Sequence, residues 1–530
     1  MNPAPSWLQM LGMLWSGQGL AAAFPWLPLA ARIALALWLP RIFKLALAVL
    51  LAGIVYRLWR GSSQGVSGRH VRGSRLVRVR FGRLRTWLAF NRWKLRIGGA
   101  VFPSRLEAQH LLMSGGTGAG KSSAIQGTLD AIRGRGDGAV LADTGGEGMA
   151  RFVCAGDKLL NPLDERSVSW SPFAEMDSPA DAERIAKSMV PDHHEGQLRE
   201  WHFYAQGIIA AALRRLLERG QANNGTLVAA LTSDSPAQLK TLVAGLPIQG
   251  LFHEGAERML GSVRGIVASH LAPYIYLPKE AGSNAWSIRR HVRESKAWLW
   301  LAYQENQVAA LQPLLATWIG EAVNALLTLR PDQRRRHWLM LDEVASLGRV
   351  QGLSDALTKG RKYGLCAMLG LHSVSQLREL YGEHGAQTLL SCLSSQLILR
   401  ANDPLTAEYA SSYLGDREVV QTVVTQGTHG RTHSKQSRIE RLVMASQIQR
   451  LRDGVGYLQL AGQPVVRRVK IPRVKRALLI EPFVPKKATN DVPLAPVPAI
   501  APPAPPPSLL APAVRRPALD ADAILGTRAQ

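Results

Sequence analysis

The chain has 530 residues, which is long enough for two or three domains with a large buried core. It carries 64 Lys and Arg residues against 39 Asp and Glu residues, a formal net charge of +25 at pH 7. An excess of this size favours polyanionic partners, either nucleic acid or anionic lipid headgroups. The 3 cysteines lack C-x-x-C spacing, which argues against a disulfide framework or a zinc site and places the folded part in a reducing compartment.

Two apolar segments lie near the amino terminus, at residues 21–39 and 42–59. Each approaches the length of roughly 20 residues that a helix needs to cross a bilayer. We therefore predict that residues 1–60 form a membrane anchor with two transmembrane helices. One span followed by a helix lying at the membrane surface is the alternative. The arginine-rich stretch from Arg57 to Arg85 then predicts, by the positive-inside rule, that everything downstream is cytoplasmic.

A glycine-rich loop follows a short apolar run at residues 111–113 and fits the pattern G-x-x-x-x-G-K-[ST]. The predicted nucleotide-binding residues are Gly115, Gly116, Thr117, Gly118, Ala119, Gly120, Lys121, Ser122 and Ser123. Glycines let the backbone N–H groups wrap a phosphate closely, and the helix that follows points its positive end at the same anion. Lys121 is predicted to reach the β- and γ-phosphates of ATP and Ser122 to ligate Mg²⁺. The strand–loop–helix context argues against a chance glycine-rich turn.

Short apolar strands alternate with helices in the remainder, which predicts a doubly wound or RecA-like parallel sheet. A half-exposed strand is expected at 76–81, where basic and apolar residues alternate. Buried strands are predicted at residues 138–143, 297–302, 338–341, 366–370 and 396–399, and a hairpin-like pair at 456–460 and 465–471. Between them the pattern is helical, most clearly at 201–219 and 258–271.

The predicted fold class is therefore α/β: a RecA-like P-loop NTPase domain at 61–178 and 274–480 with an inserted all-α domain at 179–273. N-terminal transmembrane helices precede it. Prolines crowd the segment 481–530, which predicts a disordered or polyproline-II tail.

Paired carboxylates end the apolar strand before Asp342 and Glu343. After a phosphate loop in the same domain, this arrangement fits a hydrolytic ATPase, with Asp342 holding Mg²⁺ together with Ser122 and Glu343 polarising the attacking water. Arg361, further downstream, would stabilise the charge of phosphoryl transfer if it met the γ-phosphate of a neighbouring subunit. A surface arginine at a helix end is an equally good interpretation. His429 and His433 have H-x-x-x-H spacing, but nearby glycines indicate a loop and a metal site is not expected there.

The order of these motifs resembles the type IV coupling proteins of the TraD/TrwB kind, the inner-membrane ATPases of conjugation and type IV secretion. The resemblance extends over residues 20–470 and rests on the apolar anchor, GGTGAGKSS, NPLDER at 161–166, LMLDEVASLG at 339–348 and GRKYG at 360–364. It implies a homo-hexamer in the bacterial inner membrane that binds ATP and Mg²⁺, carries single-stranded DNA with a bound relaxase, and contacts type IV secretion channel components.

The resemblance assigns nucleotide roles to Lys121, Ser122, Asp342 and Glu343, and the arginine-finger position to Arg361. His372 stands where the family usually has a glutamine that senses ATP, so it is included among the predicted catalytic residues. The segment Asp143-Thr-Gly-Gly146 departs from the family's usual Asp-x-Lys-Gly form. Two rival functions remain: a double-stranded DNA translocase of the chromosome-partitioning kind, and a membrane substrate receptor that uses ATP only for assembly.

Overall fold

The structure is a computed structural model that describes residues 28, 38, 45–53, 69–79, 93–193, 196–427, 430–473 and 475–486. Most of the predicted transmembrane segments and the proline-rich tail beyond residue 486 therefore lie outside the described residues. Residues 45–53 are helical. Within the described ranges, no helix combines the length and the apolar character needed to cross a bilayer.

The strands of the described ranges are mostly short and apolar. They are β1 (Arg69–Gly73), β2 (Arg75–Arg78), β3 (Arg96–Ile97), β4 (Ala100–Val101), β5 (Leu111–Ser114), β6 (Gly138–Thr144), β7 (Lys158–Leu159), β8 (Leu299–Tyr303), β9 (His337–Leu341), β10 (Leu365–Leu371), β11 (Ser395–Ile398), β12 (Asp416–Gly427), β13 (Gly430–Arg441), β14 (Val455–Gln459) and β15 (Val465–Lys470). The buried strands and the hairpin predicted from the sequence are all confirmed, with ends that differ by two residues or fewer.

The helices include several that begin at a capping side chain. They are α1 (Ser104–Glu107), α2 (Lys121–Gly134), α3 (Glu147–Phe152), α4 (Asp181–Met189), α5 (Gly196–Glu218), α6 (Asn224–Val228), α7 (Pro236–Leu242), α8 (Glu257–Leu271), α9 (Ile288–Glu294), α10 (Val308–Leu327), α11 (Leu353–Lys359), α12 (Val374–Cys392), α13 (Pro404–Leu414) and α14 (Ala445–Gln449). The side chain of Asp403, for example, accepts from the N–H groups of Leu405 and Thr406 at the start of α13, where Pro404 occupies the first position.

Ten of these strands form one sheet in the order β2-β15-β14-β11-β5-β10-β9-β6-β8-β7. The strands from β11 to β7 run parallel, whereas β14 pairs antiparallel with β11 and β15 antiparallel with β14. Because the central strands are parallel, the loops that follow β5, β6, β8, β9 and β10 meet at the same edge. Ligands bind at this edge in open α/β sheets.

Helices cover both faces of the sheet, which is why its central strands read as continuous apolar runs. Along β5, Leu112 belongs to one buried cluster, whereas Leu111 and Met113 belong to the other. The first cluster continues into α4, α5, α8 and α10, and the second contains the inner sides of α2 and α3. An α/β fold with a mixed central sheet is therefore confirmed.

The chain between β7 and β8 is helical and contains α4 to α9. The helices predicted at 201–219 and 258–271 are α5 and α8, and no strand occurs in the described part of residues 179–273. Their apolar sides join the cluster on one face of the sheet. The predicted domain boundaries themselves stay predictions.

The expectation of a loop around His433 was wrong. This residue lies in β13 and pairs across the hairpin with Val424 of β12. Gly427 and Gly430 form the last pair of the hairpin, and His429 lies outside the described residues. β12 and β13 form a separate three-stranded sheet with β1. No group of three or more potential metal-binding side chains occurs among the described residues.

Candidate functional site

The glycine-rich loop turns from β5 into α2 at the carboxyl edge of the sheet. Gly118 and Gly120 have φ angles of 72° and 113°, a conformation that strains residues with a side chain. The loop is held from both sides, because Gly115 N donates to Leu371 O at 3.0 Å and Gly116 N donates to Arg400 O at 2.7 Å. The N–H groups of Gly115 and Gly116 are thus used within the protein, and the loop leads directly into the N-terminus of a 14-residue helix, which favours an anion.

Lys121 folds back over this loop. Its Nζ donates to Gly115 O at 2.7 Å, lies 3.2 Å from Nδ1 of His372 and lies 3.9 Å from Oε2 of Glu343. Burial lowers the pKa of the Lys121 ammonium, and the nearby carboxylates of Glu343 and Asp342 oppose that shift. The ammonium is therefore held at the phosphate loop by weak acceptors that an incoming phosphate can replace.

Ser122 and Asp342 meet across the sheet edge, where Ser122 Oγ donates to Asp342 Oδ2 at 2.7 Å. The second oxygen, Asp342 Oδ1, is buried and has no hydrogen-bond partner among the described residues. Burial raises the pKa of this carboxyl, while the hydrogen bond from Ser122 and the charge of Lys121 oppose the shift. A hydroxyl beside a carboxylate with an unsatisfied oxygen fits a hard divalent cation such as Mg²⁺, which takes few protein ligands and completes its shell with water and phosphate.

Glu343 and His372 face each other from the ends of β9 and β10. His372 Nε2 lies 2.9 Å from Glu343 Oε2. Together with Lys121, Ser122 and Asp342 they border one cavity of about 410 Å³ beside the glycine-rich loop. The cavity is thus lined by every predicted site residue except Gly115 and Ala119, which belong to the glycine-rich loop itself, and Arg361.

Arg361 lies at the opposite edge of the sheet. It is exposed in the single turn Gly360–Tyr363 that precedes β10, whereas His372 follows the same strand. The seven residues of β10 separate the two by roughly 20 Å at about 3.3 Å per residue. Within one subunit Arg361 therefore has no access to the cavity.

Asp143, the carboxylate at the end of β6, has a local role. Its Oδ2 accepts from the N–H of Met149 at 2.7 Å and so caps the beginning of α3. Burial raises the pKa of this carboxyl to about 7. It is not among the residues that border the cavity.

Five residues that the sequence analysis missed also line the cavity: Thr144, Glu305, Val308, Ser346 and Arg473. The first four follow parallel strands at the carboxyl edge, so the rule that loops at this edge form the site would have found them. Arg473 follows the antiparallel strand β15, and no sequence pattern marks it.

Residues 94–472 match the family model for the type IV secretion-system coupling protein DNA-binding domain. The fold and the site are those of a nucleotide-binding coupling protein. The chain belongs to the type IV secretion-system coupling protein family.

Two relatives, one of them solved in two complexes, illustrate the likeness. Coupling protein TraD of Escherichia coli (strain K12) is 27% identical over 413 residues, which cover 75% of this chain and 57% of TraD. The chain therefore spans little more than half the length of that relative. The plasmid coupling protein TrwB, solved with the non-hydrolysable ATP analogue ADPNP, is 30% identical with a TM-score of 0.72 and covers 80% of this chain and 99% of its own. TrwB solved with ADP and Mg²⁺ is 30% identical, with a TM-score of 0.71 and the same coverage.

Proposed function

We propose that this protein is the ATP-driven motor of a conjugative type IV secretion system, which recruits a relaxase–DNA complex and translocates single-stranded DNA. The observation that carries the proposal is the single cavity in which the phosphate loop, Lys121, Ser122, Asp342, Glu343 and His372 meet. Its cofactors are ATP and Mg²⁺, in keeping with the complexes of TrwB with ADPNP and with ADP and Mg²⁺.

The site residues divide the work by position. Ser122 and Asp342 would hold Mg²⁺, which neutralises charge on the phosphate oxygens when it is bound. Lys121 exchanges its carbonyl partners for the β- and γ-phosphates, and this leaves Glu343 free to orient and polarise a water molecule. His372 bridges Lys121 and Glu343, so its ring is placed to respond when a γ-phosphate displaces the ammonium.

Membership of the coupling-protein family and the excess of basic residues support the assignment of DNA as the cargo. Relaxase recruitment, contact with the secretion channel, assembly into a homo-hexamer and anchoring in the bacterial inner membrane are parts of the same proposal. The position of Arg361 supports assembly, because this arginine has no route to the nucleotide of its own subunit. The apolar segments at 21–39 and 42–59 support the membrane anchor.

The test is a steady-state ATPase assay with and without single-stranded DNA. Lys121→Ala should abolish hydrolysis, because backbone N–H groups alone leave the charge of the β- and γ-phosphates uncompensated. Glu343→Gln should bind ATP with near-normal affinity and reduce kcat by about 100-fold or more, since it removes the general base. Hydrolysis by the wild type that DNA fails to stimulate would favour a receptor that uses ATP only to assemble, and wild-type rates in both variants would overturn the motor.

A further inference from the structure

A loop from the far side of the sheet reaches the phosphate loop. Gly454 N, in the turn before β14, donates to Ala119 O at 3.0 Å, and Ile471 N, just after β15, donates to Gly454 O at 2.6 Å. Gly454 has a φ of 68°, and a Cβ built there would lie 2.9 Å from Ile471 O. The backbone at Ile471, two residues before Arg473, is therefore linked through Gly454 to the carboxyl half of the phosphate loop.

Arg473 extends from this backbone to the nucleotide cavity. It lines the cavity together with Thr117 and Gly118, and it is exposed. No carboxylate of the described ranges forms an ion pair with it, although neighbouring Arg476 pairs with Asp130 at 2.7 Å. An arginine without a counter-ion at the mouth of an anion site is available to a ligand.

The topology indicates which end of a nucleotide Arg473 meets. β5 lies between β10 and β11 in the sheet. Asp342 and His372, which define the γ-phosphate end, follow β9 and β10 on one side of β5. Arg473 arrives from β14 and β15, on the other side. A nucleotide whose γ-phosphate lies at Asp342 therefore has its nucleoside end on the side of Arg473.

We infer that Arg473 is a positioning residue that binds the nucleoside end of ATP, through its α-phosphate and the face of its base. The inference rests on the proposed nucleotide site and extends it. A guanidinium suits both contacts, because it pairs with phosphate oxygens and stacks on planar rings. The contact is the same for ATP and ADP, so it strengthens binding and leaves the chemical step unchanged.

The experiment compares Arg473→Ala with Lys475→Ala in the full-length chain. Both substitutions remove one positive charge from the same exposed segment, but only Arg473 lines the cavity. Calorimetric Kd values for ADP and for ATP should rise about tenfold in Arg473→Ala, as expected for one charge-assisted contact at a partly exposed site. Binding of inorganic pyrophosphate should change less than threefold, because pyrophosphate has only the two phosphates of the β- and γ-positions and lacks both an α-phosphate and a nucleoside. Lys475→Ala should behave as wild type, and Arg473→Lys should recover part of the affinity.

In steady-state assays KM should rise with kcat within twofold of wild type. Equal losses of nucleotide affinity in Arg473→Ala and Lys475→Ala would show that only the net positive charge of the segment matters, and this would overturn the inference. An equal loss for pyrophosphate and ADP would place the contact at the β- and γ-phosphates and overturn the inference as well. If wild-type protein binds ADP but does not hydrolyse ATP, the proposed motor function is wrong. The binding measurements on Arg473→Ala still test the inference about Arg473 in that case.

Discussion

At the scale of single residues, His372 is the site residue that departs from the glutamine expected from the family resemblance. Lys121 Nζ lies 3.2 Å from Nδ1 and 3.4 Å from Nε2 of the His372 ring, and Nε2 lies 2.9 Å from Oε2 of Glu343. A neutral imidazole offers one donor and one acceptor, which matches an ammonium on one side and a carboxylate on the other. A glutamine amide, which the family resemblance leads one to expect at this position, carries the same two functions on one planar group.

This equivalence predicts that His372→Gln retains kcat within about threefold, whereas His372→Ala loses about 100-fold, the order found for removal of one preorganised donor from an active site. KM for ATP should change little in either variant, because the phosphate loop and Lys121 provide the binding. Steady-state ATPase rates at saturating single-stranded DNA measure both. An alanine variant with wild-type kcat would show that the ring only fills space between Lys121 and Glu343.

At the scale of elements, the parts of the site that were predictable are those in which backbone geometry requires particular residues. The turn from β5 into α2 has positive φ angles at Gly118 and Gly120, which favour glycine, so the turn can be recognised from the sequence. The strand β9 is buried on both faces, and it is apolar from Trp338 to Leu341, directly before Asp342. Both features leave a pattern in a few consecutive residues, glycines in the turn and an apolar run in the strand.

The hairpin β12–β13 was not predictable for the opposite reason. Val419 is buried, but Val424 and Ile439 are 51% and 67% exposed, so neither face carries a continuous apolar stripe. Without a buried face the two-residue period of a strand leaves little trace in the sequence. Arg473 escaped notice likewise, because its place in the site comes from hydrogen bonds between Ala119, Gly454 and Ile471 that are remote in sequence.

A second element that patterns did not reveal is the segment 475–485, here called the C-terminal strap. It runs over α2 and α3: Arg476 pairs with Asp130 and covers the ring of Phe152 at 4.6 Å, and Leu479 N donates to Ala150 O at 2.7 Å. Near its end, Val484 N donates to Asp164 Oδ2 at 3.1 Å. The strap is thus bonded to the nucleotide-binding fold along its length, and its last five residues lie within the proline-rich segment that was expected to be a disordered tail.

Two truncations separate the strap from the tail. A chain ending after Lys486 should keep wild-type ATPase activity and thermal stability, because the contacts of the strap are intact. A chain ending after Arg473 keeps that arginine but loses the strap, and its thermal midpoint should fall by several degrees, as expected when a few hydrogen bonds and buried contacts are removed. Scanning fluorimetry and ATPase assays provide the comparison. Equal stability of the two truncations would show that the strap contacts contribute nothing.

At the scale of the whole molecule, the proposed assembly would supply an arginine to the γ-phosphate end of the nucleotide site. Lys121, Glu343 and His372 border the end of the cavity assigned to the γ-phosphate. Among the described residues that line the cavity, the one arginine is Arg473, which reaches it from the other side, and Arg361 lies at the opposite edge of the sheet. Phosphoryl transfer in many motors depends on an arginine delivered by a neighbour, which contributes about 10³–10⁵ in rate. A ring of subunits in which the Arg361 edge of one chain approaches the carboxyl edge of the next would complete the site.

This arrangement predicts complementation between two inactive variants. Arg361→Ala should bind ATP normally and lose about 1,000-fold or more in kcat, while Lys121→Ala loses nucleotide binding. Mixed oligomers place the intact Lys121 site of the first variant beside the intact Arg361 of the second, so the mixture should recover a measurable fraction of wild-type turnover. Lys362→Ala is the control, because it removes an adjacent positive charge and should keep full activity. If crosslinking shows mixed oligomers and no mixing ratio restores hydrolysis, Arg361 does not act on a neighbour's nucleotide.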